Sequence, residues 1–184
     1  MNVQQYIDIL NVRFQTGISR EHAYRGDLQQ LLESMLEGVL VTNEPARIDC
    51  GAPDYILTRK DIPVGYIEAK DIGIDLKSKS LKEQFERYKA SLTNLVFTDY
   101  LDFHFYRDGQ LTTTVKIAEI KDGKIVALPE NFETFVQLIK DFARVVTQSI
   151  KSPTKLAEMM AGKANNKMLK PVVIDLFISP SPPG

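Results

Sequence analysis

The 184-residue sequence holds a single cysteine, Cys50. One thiol excludes a disulfide framework and a cysteine-based zinc site. Long apolar runs are missing as well, and none approaches the roughly 18 residues that a membrane-spanning helix needs. The opening residues Met1-Asn2-Val3-Gln4-Gln5-Tyr6 lack the basic and apolar regions of a signal peptide. These absences lead to an expected reducing, cytoplasmic compartment and no membrane partner. Charge of either sign is not in excess: 23 Lys and Arg stand against 24 Asp and Glu, a formal net charge of −1. That sum does not advertise a nucleic-acid binder, so the distribution of charge matters more. No internal repeat and no glycine-rich phosphate loop is present, and Gly51 and Gly65 do not form one. What remains is the composition of a globular protein, 43% apolar and 26% charged, expected to form one domain with a core of ordinary size.

The informative stretch runs from Asp49 to Asp71. Asp54 to Arg59 is rich in aromatic and β-branched residues, Val64 to Lys70 is a second such arm, and Lys60-Asp61-Ile62-Pro63 between them is a turn signal. The pattern predicts a β-hairpin. Counting outward from Asp61 sets Asp54 opposite Glu68, with Cβ atoms about 5 Å apart. Side chains alternate along a strand, so Lys70 shares a face with Glu68. Two carboxylates and an ammonium then converge at one end of a hairpin, a donor set suited to a hard divalent cation that keeps several waters. The competing reading is a surface salt-bridge cluster. Without a metal the two carboxylates repel, so Asp54→Asn is expected to leave the metal-free domain as stable as before or slightly more so.

Local charge supports a polyanion partner. Residues 77–89 hold Lys77, Lys79, Lys82, Arg87 and Lys89 against Glu83 and Glu86, and residues 151–170 hold five lysines against Glu158. Each run alone reads as a solvated helix face. Together with the hairpin they could flank a phosphate backbone.

Helical spacing of Tyr6, Ile9, Leu10 and Phe14 predicts a first helix over 3–16, stopped by Gly17. Ser19 can cap a second, running to about Glu37 before Gly38, with Tyr24, Leu28, Leu31, Leu32, Met35 and Val39 as its apolar stripe. The stripe extended back one turn reaches Glu21. A glutamate there needs a partner or a metal; support of the helix start is the equal alternative. His22 reads as structural. A strand is expected over Val39 to Thr42 or over Glu44 to Ile48. A third helix follows from Ser80 or Leu81 to Ala90, with Leu81, Phe85, Tyr88 and Leu92 as its core stripe. Gln84 and Tyr88 share a face of it. Strands are expected over 94–98, 102–107, 110–119 and 124–128, the last ones extending the sheet, with Asp108-Gly109 as a hairpin turn. Asn131 starts a fourth helix with a stripe from Phe132 to Val146, and Ser152-Pro153 starts a fifth that ends near Met168.

Pro53-Asp54, a hairpin and Glu68-Ala69-Lys70 together resemble the PD-(D/E)xK nuclease signature. The surrounding words are more specific. Glu21-His22-Ala23-Tyr24-Arg25, Asn43-Glu44-Pro45, Cys50-Gly51-Ala52-Pro53-Asp54-Tyr55, Gly65-Tyr66-Ile67-Glu68-Ala69-Lys70-Asp71, Gln84-Phe85-Glu86-Arg87-Tyr88 and Asn94-Leu95-Val96-Phe97-Thr98-Asp99-Tyr100 look like the N-terminal nuclease domain of type ISP restriction-modification enzymes. The likeness covers about residues 19 to 165. It implies an α/β fold, a central mixed β-sheet with flanking helices and a restriction-endonuclease-like core.

The resemblance also implies chemistry. Asp54 and Glu68 would hold Mg²⁺, or Mn²⁺ in its place, with the Ala69 carbonyl as a further ligand and Glu21 completing the set. Lys70 would hold and help deprotonate the attacking water. Gln84 and Tyr88 resemble a Gln-x-x-x-Tyr motif near the metal and the DNA backbone. Double-stranded DNA would be cut to 5′-phosphate and 3′-hydroxyl ends. In the family the chain continues through a coupler into helicase-like, methyltransferase and target-recognition modules, which would deliver the nuclease to its site. Here the expected organisation is a nuclease domain over 1–150, a basic helix over 151–170 leading to a missing coupler, and a tail over 171–184, disordered at its end. The chain would then be a standalone relative, a truncated product or an excised domain. No SAM or ATP site is expected. The alternative function is a catalytically silent nuclease-fold module that binds DNA or docks a protein.

Overall fold

Asn2 starts the first helix because its side chain accepts the Gln5 backbone N–H while the Gln5 side chain accepts that of Asn2. This reciprocal cap satisfies donors that a helix start leaves open. The computed structural model describes residues 1–17, 21–45, 48 and 51–144. The expected cap at Ser19, the helix over 153–168 and the tail over 171–184 lie outside the described residues. Helix α1 is Val3–Gln15. It buries Val3, Tyr6, Ile7 and Leu10; Ile7 takes the place expected of Ile9. Helix α2, Glu21–Met35, buries Tyr24, Leu28, Leu31 and Leu32. It ends short of Glu37, and Leu36 turns into the core ahead of Gly38, whose φ is 69°.

Six strands follow: β1 Leu40–Asn43, β2 Tyr55–Arg59, β3 Ile62–Ala69, β4 Asn94–Thr98, β5 Asp102–Arg107 and β6 Gln110–Lys116. They form one sheet in chain order. β3 and β4 are parallel and every other neighbouring pair is antiparallel. A parallel pair needs a crossover, supplied by a 3₁₀ turn, Lys79–Leu81, and helix α3, Lys82–Ser91. The chain is thus an α/β protein with a mixed central sheet flanked by helices, compatible with a restriction-endonuclease-like core.

Two expectations need correction. Ile62 and Pro63 belong to β3, not to the turn. Lys60 and Asp61 alone make the turn, with φ of 49° and 64°, the left-handed geometry that two-residue hairpin loops favour. Pro63 sits at the register shift between Leu57 and Thr58, where a missing N–H is tolerated. The run expected as one returning strand over 110–119 is split. β7 Ala118–Lys121 pairs with β8 Lys124–Ala127 as a separate two-stranded sheet, so it does not extend the main one. The cause is burial of Ile117, whose N–H leaves the ladder for the Leu101 carbonyl at 2.8 Å. The hairpin is tied to α1, where the Asn11 side chain accepts the Ile125 N–H at 3.0 Å.

Period-two alternation divides the sheet between two apolar clusters. Tyr55, Leu57, Ile67, Ala69, Val96 and Phe103 join the main core with residues of α1, α2 and helix α4, Phe132–Arg144. Tyr66, Leu95 and Phe97 face the other way and pack on Phe85, Tyr88 and Leu92 in and just after α3. α4 crosses β3 at Gly65, where Asn94 Nδ2 donates to the Val64 carbonyl at 2.5 Å and to the Phe142 carbonyl at 2.9 Å. A Cβ on Gly65 would lie 2.4 Å from Phe142 Cζ and 2.7 Å from its Cε1. Gly65→Ala must push the helix off the strand, and overpacking of this kind costs about 1–3 kcal/mol. Urea unfolding of that variant should show the loss; unchanged stability would mean that α4 is not seated on β3.

Candidate active site

The hairpin register places the acids. Tyr55 pairs with Ile67, Ile56 with Tyr66 and Leu57 with Gly65, and one more step sets Asp54 against Glu68. Both carboxylates are nearly buried, at 7% and 3% exposure. Glu68 lies on the α3 face, since it alternates with Ile67 and is in phase with Tyr66. At this end β2 has left the ladder, and a side chain replaces the strand: Asp54 Oδ2 accepts the Ala69 N–H at 2.8 Å.

Each acid meets a cation. Arg25 Nη2, from α2, donates to Asp54 Oδ1. Arg25 Nη1 donates to Glu44 Oε1 at 2.9 Å. The helix backbone is pinned there, because the Tyr55 hydroxyl donates to the Arg25 carbonyl at 3.0 Å. On the other acid, Glu68 Oε1 receives Lys70 Nζ at 2.7 Å and Gln84 Nε2 at 2.6 Å. Asp54, Glu68, Ala69, Lys70 and Gln84 therefore come together. Tyr88 is buried one turn along α3 from Gln84 and packs under Gly51, where an added Cβ would meet its hydroxyl at 2.9 Å. It supports the segment that leads into Asp54.

Position 21 opens α2, one turn before Arg25, and the Glu21 side chain lies outside the described residues. His22 is exposed, 3.5 Å from Glu44 Oε1. Arg25 itself was not singled out by sequence reasoning, although it stands within the Glu21–Arg25 word. Its signal was a charged residue adjoining the apolar stripe of a helix, four positions after Glu21. Among the described residues no group of three or more His, Cys, Asp and Glu could hold a metal ion; Asp54 and Glu68 are two.

A second anchor holds the chain after Lys70. The Lys70 N–H donates to the Thr98 carbonyl at 2.8 Å. Asp99, next along, accepts the Gly73 N–H at 3.1 Å and those of Leu101 and Asp102 at 3.1 and 2.7 Å. Burial pushes the Asp99 carboxyl above its ordinary value, against the pull of these three donors. Beside it a cleft of about 380 Å³ is lined by Asp99, Asp102, His104, Thr114, Lys77 and Lys116 among others. Lys82 is exposed at the start of α3, as are Lys79 and Lys77 ahead of it, whereas Lys89 is engaged by Glu86 at 2.7 Å.

No family model and no curated protein matches the sequence. Among solved structures, a chain in the cryo-EM structure of a DrdV–DNA complex is similar, at 20% identity and a TM-score of 0.55 over 76% of this chain. This chain spans 14% of the length of that one. The likeness is one of fold.

Two consequences can be measured. Asp54 faces a donor on each oxygen, so the amide of Asp54→Asn must turn its NH₂ group toward either Ala69 N–H or Arg25. This corrects the expectation of unchanged or higher stability: repulsion between the acids is already offset by Arg25 and Lys70. The metal-free variant should lose about 1–3 kcal/mol by urea unfolding, and a gain in stability would refute the pairing. For Asp99, the folded state holds its proton to higher pH than the unfolded chain. Its contribution to stability is whole below about 3.8 and is lost as pH rises through the raised folded value. The stability of the wild type minus that of Asp99→Asn should fall with rising pH across that window. A difference that rises would contradict burial as the cause.

Proposed function

We propose that this chain is a Mg²⁺-dependent DNA endonuclease domain of a restriction-modification system, delivered to its site by other modules. The observation that carries the reading is that Lys70 and Gln84 meet Glu68 at the open end of one hairpin, with Asp54 bonded to the intervening Ala69 N–H. The donor set fits the metal: the ligands are oxygens, hard and anionic, as Mg²⁺ requires. Asp54 and Glu68 would hold it. The Ala69 carbonyl is a reasonable third ligand, because in an extended strand the C=O points to the same side as the N–H, and that N–H meets Asp54. Glu21 is the candidate for a fourth. When bound, the metal would polarise the scissile phosphate and lower the pKa of a coordinated water.

The remaining work falls to side chains. Lys70 sets an ammonium beside Glu68, where it can orient the attacking water and stabilise charge building on phosphorus; only its neutral amine form can take up the water's proton. Water oxygen bonds to phosphorus as the bond to the 3′ oxygen breaks, and that oxygen takes a proton from solvent, which leaves a 5′-phosphate and a 3′-hydroxyl. Gln84 holds Glu68 in its orientation. Lys77, Lys79 and Lys82 supply exposed positive charge at the N-terminal end of α3, where phosphates are also favoured by the helix dipole. Nothing in the described residues resembles a base-reading helix, so sequence choice is assigned to partner modules.

The salt-bridge pairing of both acids favours a second reading, a silent DNA-binding or docking module. One assay separates the two. Purified chain with supercoiled plasmid and Mg²⁺ should nick, and Lys70→Ala should lose at least about 100-fold, in the range typical of a lost acid–base group. Glu21→Gln should lose a similar factor if it completes the metal set, and nothing if it only supports the helix. Metal-independent nicking, or full activity in Lys70→Ala, sinks the enzyme reading.

A further inference from the structure

We propose that Arg25 is an exchangeable counter-ion, which holds Asp54 while no divalent cation is bound and passes to a DNA phosphate when one is. The inference rests on the nuclease reading. Three observations lead to it. First, the Arg25–Asp54 pair is shielded, with side-chain exposures of 11% and 9%. A carboxylate this buried needs a positive partner whether or not a metal is present. Second, Oδ2 of Asp54 is engaged by the Ala69 N–H and Oδ1 by Arg25 Nη2. A cation that draws on Oδ1 competes with the guanidinium directly. One that draws on Oδ2 sets two positive centres within the width of a carboxylate. Third, Arg25 has somewhere to go. Nη1 is already held at 2.9 Å by Glu44, whose side chain is 63% exposed at the rim of the site. The α2 backbone at Arg25 is fixed by Tyr55, so the exchange is a swing of the side chain and not of the helix.

The chemistry of the guanidinium suits the second partner. Its planar fork matches two phosphate oxygens as well as two carboxylate oxygens, and its charge does not titrate away. Glu44 would keep the freed group at the mouth of the site, where substrate enters. Metal binding would thus convert a structural ion pair into a phosphate clamp, and DNA would be held firmly only by the metal-loaded site.

The signature is a pair of effects of opposite sign. Arg25→Gln in the full chain should bind Mn²⁺ about tenfold tighter by calorimetry, the scale of one partly screened charge contact. The same variant should bind a short DNA duplex about tenfold or more weakly in Ca²⁺. A merely structural arginine would loosen both ligands together. Arg25→Lys keeps the charge without the fork; it should retain wild-type Mn²⁺ affinity and still lose DNA affinity. Wild-type chain provides a check that needs no variant: the Arg25 side-chain Nε resonance should shift as Mg²⁺ is added. The proposal is overturned if folded Arg25→Gln binds Mn²⁺ no better than wild type, if both affinities move the same way, or if the resonance does not respond to Mg²⁺. Loss of Arg25 exchange with wild-type nicking intact leaves the nuclease reading standing. A wild-type chain that binds no Mn²⁺ removes both.

Discussion

The register of one hairpin decides what this sheet can do. Side chains alternate with a period of two, so a slip of one residue between β2 and β3 would send Asp54 and Glu68 to opposite faces. Two features hold the register. Lys60 and Asp61 adopt positive φ and close the shortest kind of hairpin loop. The bulge opposite Leu57/Thr58 then absorbs one residue, Val64. Beyond the bulge the pairing runs straight to Tyr55 and Ile67, and both are fully buried in the main core. A slip would carry either Tyr55 and Leu57 or Ile67 and Ala69 out of that core, and turn the acid of the same strand to the other face. The apolar face thereby enforces the geometry of the polar one.

Besides Asp27, which pairs with Arg13 at 2.7 Å, three carboxylates near this end of the sheet are buried, which is costly unless each is compensated. The fold uses a different device for each. Asp54 takes a guanidinium and a backbone N–H. Glu68 takes an ammonium and an amide. Asp99 takes three backbone N–H groups, and here burial still prevails, because its carboxyl remains harder to ionise than a free one. The three devices differ in what they permit. Backbone donors cannot leave without unfolding a turn, so Asp99 is a fixed joint between the chain after Lys70 and the β4–β5 connection. Side-chain cations can move, so Asp54 and Glu68 can change partners while the sheet stays intact.

Much of this was legible in the residues, for identifiable reasons. Index counting across the hairpin matches the register from Leu57–Gly65 to Tyr55–Ile67, because a bulge next to the turn shifts the pairs near the loop and leaves the far end in step. β4 and β5 were read to the residue, since Asp108-Gly109 and Asn94 mark their limits. Helical spacing puts Gln84 on the Tyr88 side, and the likeness of this pair to a Gln-x-x-x-Tyr motif marks it as a candidate. Other features were out of reach of local pattern. Ile117 leaves the strand to bury against Leu101, and alternation within 110–119 carries no trace of that tertiary demand. Ile7 in place of Ile9 reflects a small rotation of α1 that only its neighbours on α2 and β8 determine. Arg25 was missed because an arginine beside an apolar stripe looks like solvated charge until the partner strand is in place.

The parallel step between β3 and β4 explains why a site forms at this end and not the other. The crossover must climb from the C-terminal end of β3 and return over one face of the sheet, which brings the start of α3 back above Glu68. Gln84 reaches the acid from there, with Lys79 and Lys82 just ahead of it. On the same face the row continues through cross-strand neighbours, from Glu68 to Phe97, His104 and Thr114. The last two line the cleft beside Asp99. Phe97 is the one apolar member of that row. It stacks on Phe85 with ring centroids 3.5 Å apart, and so seats α3 on the sheet between the acids and the cleft. Moving α3 would therefore move Gln84 off Glu68. The packing of two phenyl rings and the orientation of a buried carboxylate are in this way a single constraint, imposed by the handover from β3 through α3 to β4.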